Sequence, residues 1–415
     1  MRRNFTLLLL ILLFASTVVA GIFIYEPKDK LITFNEVEML KGVGKNLDIL
    51  KINDQKIGFS ANGNFSCGLI LSRGKNLVEI RALDKNGEHF TKEVRILSLK
   101  NYPDIETLYD GKKHWARTQI IYLSTIGVIE GYPDGGFYPG NPITRGELAT
   151  WIARAKKLSV AKLGGDPFFD VPKERWRAPY IKAVVDAGFM RGYDNDTFGI
   201  DEPISRRQVA EVAVLTEGYE AVERIKPIFV DVPKEEQGAF PIYVAREKGL
   251  VLGVSKDIDV FEPDRALTRA EAAALISRFK ISAERIKYLF SFEKGFDNGR
   301  RCKVNLPPKI LSFSVGPGEL KANKQNVVKV RVKIADRENF FPISKVKVDL
   351  SEIGGAPDAE MFDNASHGDE KKGDMVYSLN LSLEPIESGS KSLMVTAIDR
   401  LGWESRKEAF LLVIE

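Results

Sequence analysis

Histidine and cysteine are scarce in this chain of 415 residues. The 3 histidines, His89, His114 and His367, lie far apart, so the sequence shows neither a Ser–His–acid triad nor a histidine-rich metal site. The 2 cysteines, Cys67 and Cys302, are too few for a secreted scaffold held together by disulfides. We expect Cys67 to be a small buried hydrophobic residue, and we expect no disulfide between the two.

A surplus of one charge is also lacking. The chain has 61 basic and 57 acidic residues, which gives a net charge of +4, and it contains no basic block and no interleaving of basic with aromatic side chains. This balance argues against a nucleic-acid partner.

A long hydrophobic run is present only at the N-terminus. Two arginines precede an apolar run over residues 5–15, and the small residues at 18–20 resemble a cleavage site. We predict that residues 1–20 are a secretory signal peptide, so that the mature chain is exported and has no membrane span. Because apolar residues continue through Ile24, an uncleaved anchor helix is the alternative.

Two segments consist of short runs rich in Val, Ile and Leu, separated by turns that contain Gly, Asn and Asp. The run at 328–334 alternates strictly between apolar and polar residues, as a half-buried β-strand does. We predict a small β-sandwich over residues 31–100 and a second one over residues 307–415. Residues 286–306, which are charged and contain Gly, are predicted to be a linker.

Between the two sandwiches the hydrophobic period becomes helical and the chain repeats itself. A constant offset relates Trp115 to Trp176 and Gly131 to Gly192, and Gly253 is the equivalent glycine of a third copy with a slightly longer loop. Because a pair of short helices cannot bury its apolar faces alone, we predict that the copies pack into one pseudo-threefold, all-α unit. The copies span residues 105–164, 165–225 and 226–285.

A capping box opens the second helix of each copy. Ser or Thr stands three residues before Glu or Gln, so that its hydroxyl accepts from a free N–H and the Glu or Gln side chain returns to the cap. The three pairs are Thr144 and Glu147, Ser205 and Gln208, and Thr268 and Glu271. We interpret these Glu and Gln side chains as caps rather than as ligands.

An arginine follows each cap, namely Arg145, Arg206 and Arg269. A cation there opposes the positive end of its own helix dipole, so helix formation does not explain it. A guanidinium can bind a carboxylate through two hydrogen bonds, and the free N–H groups of the helix start add donors. We therefore interpret the arginines as anion sites built to one plan. The alternative is an ion pair with an Asp or Glu of the neighbouring copy.

Three phrases of the repeat resemble the S-layer homology (SLH) domain. They are Trp115-Ala116, the loop at 131–139 and the run Ile143-Thr144-Arg145-Gly146-Glu147, and the phrases at 168–171 and 229–232 resemble the opening of the later copies. The resemblance implies a three-repeat helical spindle. It also implies an exported protein that binds anionic, often pyruvylated, cell-wall polymers in grooves between the repeats.

The resemblance further implies which residues form the grooves. The arginines that contact the glycan and the glycines that shape the loops are Arg145, Arg206, Arg269, Gly131, Gly192 and Gly253. Trp115 and Trp176 either line a sugar site or belong to the helical core. The chain departs from the pattern at Gln208 in the second copy, and at Gln237, Ala266 and the longer loop in the third. We therefore expect the groove that contains Arg269 to be the least organised.

Both β segments resemble immunoglobulin-like modules of bacterial surface proteins, through turn phrases such as Asp84-Lys85-Asn86-Gly87. The predicted fold class is therefore multidomain. An Ig-like β-sandwich is followed by an all-α three-repeat SLH pseudo-trimer and by a second Ig-like β-sandwich.

One loop of the second sandwich is rich in oxygen ligands. It contains Asp363, Asn364, Asp369 and Asp374, but their spacing is not that of an EF-hand. We interpret the loop as a solvated turn and predict no metal site, with calcium binding as the alternative.

Together these features predict a non-catalytic protein of the cell envelope and cell surface, without a cofactor. Its repeats bind an anionic secondary cell-wall polymer or a peptidoglycan-linked glycan. One alternative is a structural role in which the repeats assemble with other envelope proteins. The other is an accessory part of a wall-acting glycoside hydrolase, because that chemistry needs only two carboxylates.

Overall fold

The computed structural model describes residues 21–106, 111–193, 196–220, 228–254, 259–296, 300–335, 342–385 and 387–415. The predicted signal peptide at 1–20 lies outside these residues. Three hydrophobic cores are present in the described chain, two between β-sheets and one among helices. No helix in the described part combines the length and the hydrophobicity that crossing a bilayer requires.

The N-terminal module is a sandwich of two sheets that begins earlier than predicted. Residues 22–26, which lie before the predicted start at 31, form a strand that pairs antiparallel with residues 37–44. The strands are β1 (Ile22–Glu26), β2 (Leu31–Thr33), β3 (Val37–Gly44), β4 (Leu47–Ile52), β5 (Gln55–Lys56), β6 (Asn64–Ile70), β7 (Gly74–Asp84) and β8 (His89–Ser98).

The helical unit follows directly. Each copy contributes a short helix and a capped helix, a four-residue helix precedes those of the first copy, and a further helix begins at the end of the third copy. The helices are α1 (Pro103–Glu106), α2 (Arg117–Thr125), α3 (Arg145–Lys156), α4 (Ala178–Asp186), α5 (Arg206–Glu217), α6 (Ala239–Glu247), α7 (Arg269–Ser277) and α8 (Lys280–Leu289). The apolar faces of the capped helices are buried, including Leu148, Trp151 and Ile152 on α3 and Leu275 and Ile276 on α7.

The three copies contact one another in a closed sequence. The capped helix α3 packs against α4 of the second copy, α5 packs against α6 of the third, and α7 packs against α2 of the first. The cap segments pair in the same order, through Thr144 with Pro203, Ser205 with Ala266, and Thr268 with Pro142. Each apolar face is therefore covered by the next copy, as the repeat pattern requires.

Residues 286–306 are not the predicted linker. They begin within α8 and end in two strands of the N-terminal sandwich, β9 (Arg300–Arg301), parallel to β7, and β10 (Lys303–Asn305), antiparallel to β6. Val304 is 2% exposed and belongs to the same core as Leu69. The helical unit is thus inserted into the sandwich. The sequence hides this because each strand is too short to show alternation.

Both cysteines lie in this core as free thiols. Burial raises the pKa of the Cys67 thiol to about 12 and that of Cys302 to about 11. Cys67 is therefore the buried residue that the sequence predicted, and neither thiol is an activated nucleophile.

The C-terminal module is a second sandwich with a three-stranded and a five-stranded sheet. It joins the first sandwich through a buried hydrogen bond, in which Asn305 Nδ2 donates to Asp399 Oδ2 at 2.8 Å. Its strands are β11 (Lys309–Gly316), β12 (Glu319–Lys321), β13 (Asn326–Ala335), β14 (Ile343–Asp349), β15 (Ala359–Glu360), β16 (Val376–Leu383), β17 (Gly389–Asp399) and β18 (Glu404–Ile414), with a 3-10 helix at Ser351–Ile353.

Because of the inserted topology, we predict that a destabilising substitution at residue 304 weakens a sheet whose other strands lie near the N-terminus of the chain. Val304→Asp places an unpaired charge in the core and should destabilise the N-terminal sandwich by on the order of 4 kcal/mol. Hydrogen exchange should then accelerate in β3. The matched control is Val327→Asp, at a strand position that is 61% exposed. Unchanged protection of β3 in Val304→Asp would contradict the insertion.

Candidate functional site

The three predicted capping boxes are present. Thr144 Oγ1 accepts from the Glu147 N–H at 3.2 Å, and Glu147 Oε2 accepts from the Thr144 N–H at 3.1 Å. The second and third copies repeat both contacts, through Ser205 with Gln208 and Thr268 with Glu271. The caps fix the start of each second helix, and with it the direction in which the following arginine leaves the helix.

The three arginines are buried and reach into the loop of the following copy. Arg269 donates from Nε to the Phe137 carbonyl and from Nη2 to the Glu130 carbonyl, both at 2.9 Å. Arg206 repeats the pattern with the third loop, on Phe261 and Leu252, and Arg145 repeats it with the second, on Phe198 and Arg191. Their exposed fractions are 5% for Arg145, 6% for Arg206 and 2% for Arg269.

Two of these arginines also form the ion pair that the sequence analysis gave as the alternative. Arg269 Nη1 lies 2.9 Å from Glu147 Oε1, and Arg206 Nη1 lies 2.9 Å from Glu271 Oε1. The corresponding neighbour of Arg145 is Gln208, and no carboxylate of the described residues forms a salt bridge with Arg145. Burial lowers the pKa of both Arg145 and Arg206, because the charged form loses hydration.

Aromatic rings cover the guanidinium groups. The guanidinium of Arg269 lies 4.6 Å from the ring of Tyr132, 4.7 Å from Phe137 and 5.0 Å from Trp151. Arg145 lies 4.4 Å from Tyr193. Such contacts compensate part of the lost hydration of a buried cation.

The structure pairs the arginines with other loops than the sequence led us to expect. The longer loop of the third copy lies against Arg206, not against Arg269, since Arg206 donates to the Phe261 and Leu252 carbonyls. Arg269 instead meets the first copy and is the most buried of the three arginines. The expectation that the groove of Arg269 is the least organised is therefore wrong.

The first candidate groove, groove A, is a cavity of about 480 Å³ that takes residues from all three copies. Its lining includes Gly131 and Tyr132 of the first copy, Trp176 and Arg177 of the second and Arg269 of the third. A Cβ atom at residue 131 would lie 2.4 Å from the Gly136 carbonyl oxygen, so glycine is required there. Trp176 is 52% exposed and so does not belong to the core.

Groove B has the same plan in a cavity of about 330 Å³. It is lined by Trp115 of the first copy, Arg206 of the second and Gly253, Arg265 and Arg278 of the third. Trp115 is 62% exposed, so both predicted tryptophans lie at grooves rather than inside the helical core.

The third position, groove C, lies beside Arg145 and the loop of the second copy, which contains Gly192. When the three copies are aligned, both glutamines that depart from the repeat pattern fall at groove C. Gln208 replaces the carboxylate that Arg145 would meet, and Gln237 replaces the tryptophan found at the other two grooves.

Three further cations at groove A were missed by the sequence analysis. Arg177 follows Trp176 directly, and its Nε atom is buried without a hydrogen-bond partner among the described residues, while Nη2 lies 3.6 Å from Glu147. Arg73 and Lys100 come from the segments around the N-terminal sandwich, outside the repeats. The first copy has Ala at the position equivalent to Arg177, and this difference between the copies is the one feature of the sequence that could have pointed to Arg177.

Comparison with known families finds two matches in this chain. The model of the family described as the S-layer homology domain matches residues 107–149 and 167–210. A second family, described as glucodextranase, domain B, matches the N-terminal sandwich at residues 21–99. These two segments of the helical unit are therefore similar to the S-layer homology domain.

Several curated proteins are similar to parts of this chain. The S-layer protein sap of Bacillus anthracis is 26% identical over 271 residues, 64% of this chain and 30% of that protein. The cellulosome-anchoring protein of Acetivibrio thermocellus is 34% identical over 161 residues, 36% of this chain and 34% of that protein. The amylopullulanase of Thermoanaerobacterium thermosulfurigenes is 28% identical over 198 residues, 46% of this chain and 10% of that protein. The chain thus spans about a third of these relatives or less.

The buried ion pair predicts that the arginines differ in their effect on stability. Arg269→Ala leaves Glu147 buried without its closest cation and should lower the free energy of unfolding by about 3 kcal/mol. Arg145→Ala, the matched variant without a carboxylate partner, should lower it by less. Urea titration followed by helical circular dichroism measures both. A larger loss in Arg145→Ala would contradict the ion-pair assignment.

Proposed function

We propose that this chain is a non-catalytic, exported protein of the cell envelope, held on the wall by its helical unit. On this proposal the unit is an SLH pseudo-trimer between two Ig-like sandwiches, and grooves A and B bind an anionic cell-wall glycan. The observation that carries the proposal is groove A, where an exposed tryptophan and several cations surround one cavity. The matched family and the names of the S-layer and anchoring relatives support it.

The size and chemistry of groove A suit an acidic sugar. Its volume of about 480 Å³ lies within the usual range of small-ligand sites. The exposed ring of Trp176 offers a flat apolar surface to a sugar face, and Arg177, Lys100 and Arg73 offer positive charge to a carboxylate. Arg269 is already paired with Glu147, so the cations beside it supply the surplus positive charge.

The buried arginines contribute to this site mainly by holding its loops in place. Arg206 and Arg269 line the cavities, yet their Nε and Nη2 donors are used on loop carbonyls and Nη1 on a carboxylate. They therefore hold the loops that open with Gly131 and Gly253, while the more exposed side chains bind the anion. Groove C, with Arg145 and Gly192, lacks both the carboxylate and the tryptophan and is proposed to bind weakly.

Loss of Arg177 or Trp176 at groove A should weaken glycan binding without unfolding the protein. Arg177→Ala removes a charge-assisted hydrogen bond, which typically costs about 1.5–3 kcal/mol or roughly ten- to a hundredfold in affinity. Trp176→Ala should weaken binding in the same direction. Calorimetric titration with a short acidic wall-polymer fragment measures both variants. The matched control is Gln237→Ala, at the equivalent position of groove C, which should leave affinity unchanged.

Equal affinity in Arg177→Ala, Trp176→Ala and the parent chain would contradict groove A as the site. Absence of any binding by the parent chain, with circular dichroism showing a folded protein, would contradict the anchoring function. It would favour the structural role in which the repeats assemble with other envelope proteins.

The cations from outside the repeats should act chiefly through charge. Lys100→Ala should weaken glycan binding by roughly two- to fivefold, since exposed ion pairs contribute about 0.2–1 kcal/mol. It should also reduce the salt dependence of binding, because screening acts on exposed charges. The control is Lys287→Ala, an exposed lysine of α8 outside both grooves. An identical salt dependence in Lys100→Ala and Lys287→Ala would exclude a contribution of this residue to groove A.

A further inference from the structure

The aspartate-rich loop of the C-terminal sandwich is folded around its own carboxylates. It connects the short strand β15 to β16 and contains Asp363, Asp369 and Asp374. One oxygen atom from each of these residues lies within 4.8 Å of the other two. Three negative charges at this separation repel one another, so the arrangement calls for a positive partner.

Two of the aspartates bind the backbone of the loop end. Asp363 accepts from the Gly373 N–H at 2.6 Å through Oδ1 and from the Met375 N–H at 3.1 Å through Oδ2. Asp374 Oδ1 accepts from the Val376 N–H at 3.0 Å. These bonds fix the directions of both carboxylates, and each carboxylate keeps further lone pairs for another contact.

Asp369 supplies the decisive observation. It is 8% exposed, and its Oδ2 atom accepts from the Ala365 N–H at 2.6 Å. Its Oδ1 atom is buried and has no hydrogen-bond partner among the described residues. A buried carboxylate oxygen without a partner is costly, because it has lost its hydration. No lysine or arginine in the described ranges forms a salt bridge with any of the three aspartates.

The spacing and the ligand type fit calcium. Calcium binds six to eight oxygens at about 2.3–2.6 Å, so two oxygens on one ion lie no more than roughly 5 Å apart. Zinc is a poor fit because it prefers Cys or His, and the nearby ring of His367 is stacked on Phe362 at 4.3 Å between ring centroids. Magnesium is a poorer fit because it keeps most of its water and demands near-octahedral geometry.

We propose that Asp363, Asp369 and Asp374 bind one calcium ion, with backbone carbonyls or water completing the coordination. The ion neutralises the three carboxylates and gives Asp369 Oδ1 its missing partner. It thereby ties the middle of the loop to the end that enters β16. This site lies in a different module from the grooves and does not depend on their function.

Calcium titration of the full chain, after removal of divalent ions with a chelator, tests the proposal. We expect one saturable site with a dissociation constant of about 0.1–1 mM, as in extracellular calcium modules. Calcium should also slow hydrogen exchange at the N–H groups of Gly373, Met375 and Val376. Asp369→Asn should weaken calcium binding at least tenfold, and Asp374→Asn should do the same. The matched control is Glu370→Gln, which removes a neighbouring exposed carboxylate outside the cluster and should leave binding unchanged.

The variants also report on folding. In the presence of chelator, Asp369→Asn should melt at the same or a higher temperature than the parent chain, since it relieves repulsion, and calcium should raise only the parent's melting temperature. Absence of saturable binding by the parent chain would overturn the proposal. Calcium affinity unchanged from that of the parent chain in Asp369→Asn and Asp374→Asn would overturn it as well, and tighter binding of magnesium than of calcium would overturn the choice of metal. If Asp369→Asn does not fold, Asp374→Asn and the exchange measurement on the parent chain decide.

Discussion

The helical unit depends on a guanidinium that leaves one copy and bonds to the loop carbonyls of the next. Arg145, Arg206 and Arg269 each make this contact. A turn-rich loop has carbonyls that no helix or sheet satisfies, and a buried one needs a donor from elsewhere. The arginine supplies two donors at once, and the loop carbonyls compensate its lost hydration. The same contact closes the ring of copies and forms the floor of grooves A and B.

The local parts of this design could be predicted from the sequence. The capping boxes and the apolar faces of α3 and α7 follow from short-range spacing, the three copies follow from a constant repeat offset, and the structure contains them all. What could not be predicted is which loop each arginine meets. That depends on the direction in which the copies close around one another, and a repeat pattern is the same for both directions. The expectation for the groove of Arg269 therefore failed.

The remaining errors have a common cause, which is that the partners are distant in the chain. Cys302 and Val304 complete a core whose other buried members precede residue 100, and the three-residue strand β10 shows no period of its own. Arg73 and Lys100 line groove A from another module. The carboxylates around Asp369 also converge only in the fold, since their spacing in the sequence is not that of an EF-hand. Sequence spacing predicts neighbours along a helix or a strand, not neighbours across modules.

The inserted topology has a mechanical consequence. The chain enters the helical unit after β8 and leaves it into β9 and β10, so both ends of the unit are joined to one sandwich. The C-terminal sandwich continues directly from β10, and the Asn305–Asp399 hydrogen bond joins it to the same place. Tension between the two ends of the protein must therefore pass through residues 300–305. The short strands β9 and β10 therefore lie on the path of force between the two sandwiches, and their pairing with β7 and β6 bears part of that load.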